Sequence, residues 1–585
     1  MDMSSATPTP GTPRSRRLPL AGALRPRRPS DIWFKPALSS VASLAPPNLT
    51  LLALGRLDLA MYTMAGSMCA LYAHNRPYAA RARTLLWVIL GMVGGLAVAL
   101  VAAALTDSAV VLVAVGAVLA AAQKVLCDAT RVGPPNNVVL TFITSAALFV
   151  PQTLGQIPGH IGLALAAGAW AWVVGMAPGL VRPHGPERRA TAAALNAAAA
   201  YAATGGTGDG HAPARAAGYA AVQAAWQTLL AVPAAGARAA TRRALERLVV
   251  RAEVALAAPA DADPDLLRGW ARDLRGTGRV PRTGDRRADT EEMAGVEAEL
   301  AARPTPLRRR LGPLAPVGVR TALGCALAGW ASLALGVGRP YWALVTAAAL
   351  YQANLTLTWS RTVQRVVGNV AGVLVFAVVA PVAHLHQVFL VLFCLACGFG
   401  AEAFISRNYW LGSVCVTPMA LLVTEFARYQ DPGELITERV LDTVVGAAVG
   451  FLAAMAVTNR RAASRVEEAL TAVDRAREHA ARLLADPGPA PAALDAARRA
   501  LASALTELRA TADAAAGEWW QRALPQERVV LAEQAGHRTL AATVRRRTAD
   551  ADRDAGEPYA DRSAGPAAGT TTGTATGTTT EDTRP

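Results

Sequence analysis

The chain has 585 residues, 52% of them apolar, and its mean hydropathy is +0.27. A chain this apolar is not an ordinary soluble protein, although its long polar stretches indicate soluble parts beside a membrane part. The net charge of +15 comes almost wholly from arginine, and no basic stretch is interleaved with aromatic residues, which argues against a nucleic-acid partner.

The N-terminal stretch is rich in proline, serine and arginine. Its short apolar break, Leu18 to Leu24, is too brief for the core of a signal peptide, and Arg25, Arg27 and Arg28 follow it where a cleavage site would stand. We therefore predict that residues 1–33 form a disordered basic arm on the cytoplasmic side.

About twenty consecutive apolar residues are needed to cross the hydrocarbon core of a bilayer. Two sets of six stretches fit this pattern, and we predict that each set forms a membrane block. The first set comprises residues 34–54, 57–75, 84–105, 108–127, 136–152 and 159–181. The second set comprises residues 314–336, 341–358, 365–383, 387–405, 409–427 and 438–458. The first span is the weakest, because Pro46-Pro47 interrupts it.

Four landmarks recur in the same order in both blocks. In the second block they are Gly338-Arg339, Ala349-Leu350-Tyr351, a basic turn from Arg361 to Arg365, and Gly368-x-x-x-Gly372. In the first block they are Gly55-Arg56, Ala70-Leu71-Tyr72, a basic turn with Arg76, Arg81 and Arg83, and Gly91-x-x-x-Gly95. We interpret this order as an internal duplication of one membrane unit.

Charges in the short loops predict the orientation of both blocks. With the N-terminus inside, the inner turns carry more basic residues than the outer turns, as the positive-inside bias requires. The inner residues are Arg76, Arg81, Arg83, Lys124, Arg131, Arg361, Arg365 and Arg407. The outer residues are Arg56, Arg339, Arg428 and Arg439. Because each block has an even number of spans, the two blocks share one orientation and form a parallel repeat.

The expected fold is all-α. It is a polytopic membrane protein with about 12 transmembrane helices as two parallel six-helix repeats, each followed by a cytoplasmic helical region. The predicted boundaries are 1–33 for the arm, 34–181 for the first repeat, 182–313 for the first cytoplasmic region, 314–458 for the second repeat, 459–549 for the second cytoplasmic region and 550–585 for a disordered tail. Each cytoplasmic region resembles a helical hairpin.

Four motifs on successive spans resemble the fusaric acid resistance (FUSC) family, which belongs with the aromatic acid exporters. They are Gly338-x-Pro-Tyr-Trp, Gln364-Arg365-x-x-Gly368-x-x-x-Gly372, Asn408-Tyr409 with Thr417-Pro418, and Arg439-x-x-Asp442-Thr443-x-x-Gly446. The resemblance covers both blocks and is sharper in the second, since the first has no counterpart of Arg439-x-x-Asp442. It implies an exporter of small aromatic or carboxylated compounds.

Ionisable residues inside a membrane are candidates for function. We assign proton coupling to Asp442, Arg439 and Glu425, which we expect at the outer ends of the last two spans. Arg439 and Asp442 are three residues apart and share a helix face. Their proximity has two interpretations: a carboxylate that exchanges protons beside an arginine, or a structural ion pair that locks two helices.

The candidate substrate path runs between the two predicted membrane surfaces. Its residues are Arg339, Gln352, Asn354, Arg361, Arg365, Asn408 and Tyr409. Gln352 and Asn354 are predicted in the middle of the eighth span, where their amides either line the path or bond across helices. Tyr341, Trp342 and Tyr409 are predicted near the interfaces, as an aromatic belt or as a stacking surface for substrate.

Helix packing is assigned to glycines spaced four apart, which let neighbouring helices approach closely. These glycines are Gly91, Gly95, Gly368, Gly372, Gly446 and Gly450. The cysteines lie in or beside apolar spans, and we expect no disulfide, metal site or cofactor. No nucleophile and base pairing or phosphate-binding glycine loop is present in the sequence, so we expect no catalytic residues and no enzyme.

These patterns predict an efflux transporter in the bacterial plasma membrane, with both termini cytoplasmic and with energy from the proton gradient. Its partners would be the lipid bilayer, a small organic anion as substrate, and either a second copy of the chain or an accessory export protein. The alternative is a membrane scaffold or regulator whose cytoplasmic hairpins bind a partner protein. The scaffold predicts no transport and tolerance of changes at Asp442 and Asn354.

Overall fold

The computed structural model describes most of the chain. The described residues are 20, 22–26, 32–204, 210–231, 238–276, 278–282, 307, 311–352, 354–457, 462–488, 490–516 and 526–556. Over these ranges the protein is all-helical and contains no strand. Most of the predicted tail, 550–585, lies outside the described residues, and within it helix is described as far as Gly556.

The first half of the chain begins with a set of apolar helices. They are α1 (Phe34–Ala53), α2 (Ala60–Ser67) between two 3₁₀ turns, α3 (Tyr78–Leu105), α4 (Ala109–Thr130), α5 (Val138–Ala147), α6 (Ile157–Met176) and the short α7 (Pro178–Val181). Four polar helices follow. They are α8 (Gly185–Ala202), α9 (His211–Leu229), α10 (Arg238–Ala257) and α11 (Pro264–Arg275).

The second half repeats this order of apolar and then polar helices. Its apolar helices are α12 (Ala315–Ala334), α13 (Pro340–Leu350), α14 (Leu355–Ala383), α15 (Gln387–Ile405), α16 (Tyr409–Thr424) and α17 (Pro432–Ala456). Its polar helices are α18 (Ala462–Ala485), α19 (Pro491–Ala516) and α20 (Gln526–Gly556).

Seven helical segments are long and apolar enough to cross a membrane, so the prediction of about 12 transmembrane helices is not confirmed. They are Tyr78–Leu105, Ala109–Thr130, Leu154–Val181, Ala315–Ala334, Leu355–Ala383, Gln387–Ile405 and Pro432–Ala456. The other apolar helices are too short or too polar. With 11 residues, α13 rises about 16 Å, roughly half of a bilayer core. In α1, Asn48 and the prolines Pro46 and Pro47 reduce the apolar character.

The same positions pack together in both sets of apolar helices. The second helical segment packs on the sixth, as α2 on α6 and α13 on α17; the third packs on the fifth, as α3 on α5 and α14 on α16. Between the sets the contacts are reciprocal, because α1 packs on α15 while α12 packs on α4. Each first helix therefore contacts the fourth helix of the other set.

Glycines allow the closest of these contacts. A Cβ on Gly446 would lie 2.5 Å from the carbonyl oxygen of Ala343 on α13. A Cβ on Gly372 would lie 2.7 Å from Cβ of Thr417 on α16. Comparable crowding is found at Gly95, Gly368 and Gly450. The packing assignment is wrong for Gly91, which is exposed and whose Cβ would meet nothing within 4 Å.

Two helices begin earlier than the sequence predicts. The sequence places Arg361 and Arg365 in a turn, but α14 begins at Leu355 and contains both. Its start is fixed by Asn354, whose side-chain oxygen accepts the backbone N–H of Leu357 at 2.9 Å. The chain break therefore falls at Gln352 and Asn354, so their prediction as mid-span residues is wrong. Likewise, α3 begins at Tyr78 and therefore contains Arg81 and Arg83, which the sequence places in a turn.

The prediction of disorder is wrong for part of the N-terminal arm. Residues 22–26 are described and bind the second set of helices. The Ala23 carbonyl accepts a hydrogen bond from Asn408 at 3.0 Å, and the Leu24 carbonyl accepts one from Trp410 at 3.1 Å. These side-chain donors compensate for the entropy lost on ordering the arm.

The polar helices of the two halves contact each other, although the sequence predicts two separate hairpins. Arg498 on α19 forms an ion pair with Glu253 on α10 at 3.1 Å. The ring of Tyr219 on α9 lies 5.0 Å from that of His537 on α20. The apolar core of α18, α19 and α20 also includes Tyr219. Each region is thus larger than a hairpin, and the two share an interface.

The glycine contact between α13 and α17 predicts the stability of a matched pair of variants. Gly446→Ala forces a Cβ into the Ala343 carbonyl, so we expect a loss of about 1–3 kcal/mol. Gly91→Ala adds the same methyl group where nothing lies within 4 Å, so it should leave stability unchanged or slightly higher. Thermal unfolding of both variants in the same detergent measures the difference. Equal melting temperatures would contradict the packing role.

The interface between the polar helices predicts a response to acid. Burial lowers the pKa of His537 to about 4, with a smaller contribution from the charge of Arg215. The unfolded chain binds a proton at a higher pH than the folded one, so stability should fall as pH decreases from about 6.5 towards 4. Hydrogen exchange in α20, corrected for its intrinsic pH dependence, should therefore rise from pH 7 to pH 5. The rise should be smaller in His537→Gln, and an identical rise in both proteins would exclude His537 as its source.

Candidate functional site

A polar cluster lies among the apolar helices of the second set. Its members are Trp342 on α13, Asn369 on α14, Thr417 on α16, and Arg439 and Thr443 on α17, and we call them the central cluster. All five side chains are buried, and none is more than 2% exposed. Buried polar groups among apolar helices are costly, which makes this cluster the candidate site.

Asn369 holds the central cluster together by hydrogen bonds to two helices. Its side-chain oxygen accepts the hydroxyl of Thr417 at 2.5 Å, and its amide nitrogen donates to the hydroxyl of Thr443 at 3.0 Å. The Thr443 hydroxyl in turn donates to the backbone carbonyl of Arg439 at 2.7 Å. Asn369 thereby fixes α14 against both α16 and α17.

The guanidinium of Arg439 is held on one side and unsatisfied on the other. Its Cζ lies 4.0 Å from the centroid of the Trp342 ring, a cation–π contact. Its Nη2 makes a long contact of 3.5 Å with Asn369 Oδ1. Nε and Nη1 are buried and have no hydrogen-bond partner among the described residues. These N–H groups therefore have donor capacity left for an anion.

Asp442 lies one turn further along α17 and faces a different helix. Its Oδ1 accepts the hydroxyl of Ser332 on α12 at 2.5 Å, while its Oδ2 has no hydrogen-bond partner in the described part of the chain. No ion pair within 4.0 Å links Asp442 to Arg439 there. The interpretation of these two residues as a structural ion pair is therefore wrong, because their side chains point to α12 and α14 respectively.

A second cluster, which we call the tyrosine cluster, lies near the start of α14 and α16. Nη1 of Arg365 donates to the Tyr409 hydroxyl at 3.0 Å, and Cζ of Arg361 lies 3.8 Å from the Tyr409 ring centroid. The cluster connects to the central cluster by helical spacing. On α14 the polar positions are Arg361, Arg365 and Asn369, and on α16 they are Tyr409, Ser413 and Thr417. Residues four apart share a helix face, so these two polar rows run along facing helices.

The other predicted charges form separate pairs at the opposite end of these helices. Arg339 forms an ion pair with Glu438 at 2.7 Å and also donates to Gln430. Glu425 is buried and pairs with His384 at 2.9 Å. The structure thus brings Arg339 close to α17 but does not bring Glu425 to Arg439.

Besides Arg339, three predicted path residues lie outside both clusters. Gln352 and Asn354 occupy the break before α14, where Asn354 caps the helix. Asn408 precedes α16 and binds the N-terminal arm. Trp342, in contrast, was predicted either in an aromatic belt or as a stacking surface for substrate; it is 1% exposed and contacts Arg439, so the aromatic belt is wrong for this residue. The signal available in the sequence was the spacing of four between polar residues on α14 and on α16.

The fold and the site define a multi-pass, all-helical membrane protein with charged groups buried between its helices. Residues 326–453 match the family model described as Fusaric acid resistance protein-like. This match runs from α12 to α17, contains both clusters and confirms the resemblance found in the sequence. No curated protein and no solved structure matches the chain. The matched domain and the apolar helices indicate a membrane transporter.

Arg439 and Arg320 are both buried, but replacing each of them with methionine should affect the stability of the protein differently. Arg439→Met removes a buried charge that lacks a full set of partners, so thermal stability should stay level or rise by about 2 °C. Arg320→Met removes a guanidinium that donates twice to the Val457 carbonyl, at 3.0 and 2.6 Å. That loss should lower stability by about 1–3 kcal/mol. Thermal unfolding of both variants tests this contrast, and destabilisation by Arg439→Met equal to that of Arg320→Met would contradict it.

Proposed function

We propose that the protein exports small aromatic or carboxylated organic anions across a bacterial plasma membrane. The observation that carries this proposal is the buried Arg439, with Nε and Nη1 unpartnered and Trp342 against its face. Either of these N–H groups could donate a charge-assisted hydrogen bond to a carboxylate. An aromatic ring attached to that carboxylate would find an aromatic neighbour in Trp342.

The polar rows on α14 and α16 supply a route to this site. A substrate anion would first meet Arg361, Arg365 and Tyr409, then pass Ser413 towards Asn369 and Arg439. Cation–π and ion contacts at the entrance favour aromatic anions over neutral or cationic compounds. Exit would pass the pair formed by Arg339 and Glu438 near the start of α17.

Access to the buried site requires helix movement. Gly368 and Gly372 hold α14 close to α16, while Gly446 and Gly450 hold α17 close to α13. The central cluster lies between these two contacts. Separation of α14 from α16 would open the site towards the tyrosine cluster, and separation of α13 from α17 would open it towards Arg339. The two glycine contacts therefore suit alternating access.

Asp442 is the proposed site of proton coupling. Its Oδ2 is buried without a partner, while its Oδ1 is held by Ser332 on α12. A carboxylate that lacks an ion-pair partner is able to exchange a proton as the site opens. Protonation would alter the charge beside Arg439 and hence the affinity for an anion. Glu425 pairs with His384 at the end of α16 and has no described contact with Asp442. Any part that Glu425 takes in coupling would therefore act through movement of α16.

The membrane arrangement we propose is two parallel six-helix repeats, at residues 34–181 and 314–458. The support is the repeated packing order and the reciprocal contacts of α1 with α15 and of α12 with α4. The short segments would then complete a span together with the turns beside them. Cytoplasmic regions at residues 182–313 and 459–549 follow each repeat, and both termini lie in the cytoplasm.

An export assay in cells tests the function and its key residue together. Cells with and without the protein are loaded with a panel of aromatic acids, and efflux is measured. Arg439→Gln should reduce efflux of the transported acid at least about tenfold, since a charge-assisted contact contributes roughly 1.5–3 kcal/mol. Arg83→Gln removes an exposed arginine of α3 and should leave efflux unchanged. Unchanged accumulation across the whole panel would support the membrane scaffold instead.

The same assay separates coupling from binding. A protonophore should abolish efflux against a gradient, and Asp442→Asn should do so at equal protein level. Asn keeps the size of the side chain and its bond to Ser332 but cannot ionise. Full activity of Asp442→Asn, with normal sensitivity to the protonophore, would remove Asp442 from the coupling step.

A further inference from the structure

We infer that Gln364, Asn408 and Trp410 form a docking surface for a short peptide turn, and that its occupant is the segment Ala23–Arg25 of the same chain. Gln364 lies on α14, Asn408 directly precedes α16, and Trp410 is in the first turn of α16. We call these three residues the arm-docking surface.

Every contact of this surface with the arm goes to a main-chain carbonyl. The Ala23 oxygen accepts hydrogen bonds from Gln364 Nε2 at 2.7 Å and from Asn408 Nδ2 at 3.0 Å. The Leu24 oxygen accepts one from Trp410 Nε1 at 3.1 Å, and the Arg25 oxygen accepts one from Asn408 Nδ2 at 3.0 Å. Three consecutive carbonyl groups thus accept hydrogen bonds from side-chain amide and indole donors.

The register of the arm is set by one small side chain. Ala23 is 7% exposed, whereas Leu20, three residues earlier, is 60% exposed. A larger side chain at position 23 would displace the carbonyl that both Gln364 and Asn408 bind. The surface therefore selects a turn with a small residue at this point, and the sequence Gly22-Ala23 supplies it.

The docked arm lies where α14 and α16 would separate to open the site. This step rests on the proposed function. The Ala23 carbonyl binds α14 through Gln364 and the start of α16 through Asn408, so the arm links the two helices. Gln364 is next to Arg365, and Asn408 and Trp410 flank Tyr409. The arm therefore closes the end at which the tyrosine cluster would admit substrate, and α14 cannot separate from α16 until it leaves.

Cysteine labelling in the full-length protein tests docking independently of transport. Ala23→Cys and Leu20→Cys are compared for their rates of reaction with a maleimide, against the six native free cysteines as background. Docking predicts that Ala23→Cys reacts at least about tenfold more slowly than Leu20→Cys. Adding Trp410→Phe, which removes the indole donor and keeps an aromatic ring, should narrow this difference. Equal rates in the otherwise unchanged protein would overturn the docking surface.

Peptide binding gives a second measurement that does not depend on a cysteine fitting at position 23. A fluorescent peptide of residues 18–30 should bind a protein truncated by residues 1–26, and Trp410→Phe in that protein should weaken binding about 3–10-fold. The same peptide with Ala23→Trp should not bind. Binding of both peptides with equal affinity would contradict recognition at Ala23.

The effect on opening is tested by the efflux rate. Truncation of residues 1–26 should raise the initial rate, and added peptide should restore the lower rate. If truncation leaves the efflux rate unchanged while Ala23→Cys still reacts slowly with maleimide, the closing role is overturned but the docking surface is not. No efflux from either protein would contradict the proposed function, and the labelling rates would still decide the docking surface.

Discussion

The main constraint on the second set of helices is the accommodation of a buried cation, Arg439, between apolar helices. The interior of a membrane supplies no water to stabilise a guanidinium, so the protein must provide its hydrogen-bond partners. It provides an aromatic face from Trp342 and a single long contact from Asn369, and it leaves two nitrogens unmatched. An unmatched charge is a poor structural device, because a well-packed apolar residue of similar size is often as stable or more so. Its presence is better explained by a ligand that completes the set.

The surrounding helices are arranged to bring polar groups to this point. Glycines bring α14 against α16 and α17 against α13, and the polar rows on α14 and α16 face each other along the first contact. Asn369 then joins three helices through Thr417 and Thr443. Close backbone approach and side-chain hydrogen bonding are the two forces that hold helices together where the hydrophobic effect is absent. Here the same two forces also shape the candidate site.

Sequence reasoning predicted the helical class, the order of the apolar segments and the family resemblance over residues 326–453. It placed the start of α14 ten residues too late, because arginines four apart on one helix face lower the local hydropathy as a polar turn does. The cap at Asn354 was the local signal that would have corrected this. Other features could not be predicted, since Trp342 meets Arg439 and Ala23 meets Asn408 only through the tertiary fold.

The two sets of helices share packing but differ in charge. In the first set, Gly95 lets α3 approach Thr144 of α5, as Gly372 lets α14 approach Thr417 of α16. The polar partner there is Gln123 of α4, whose amide bonds Thr141 and Thr144 and carries no charge. An uncharged amide whose hydrogen bonds are satisfied by hydroxyls stabilises the helix contact without requiring a ligand. The common packing is what a duplicated scaffold must keep in order to fold, whereas a buried arginine on the sixth helix is found in α17 and not in α6. This difference is consistent with a family match that falls within the second set.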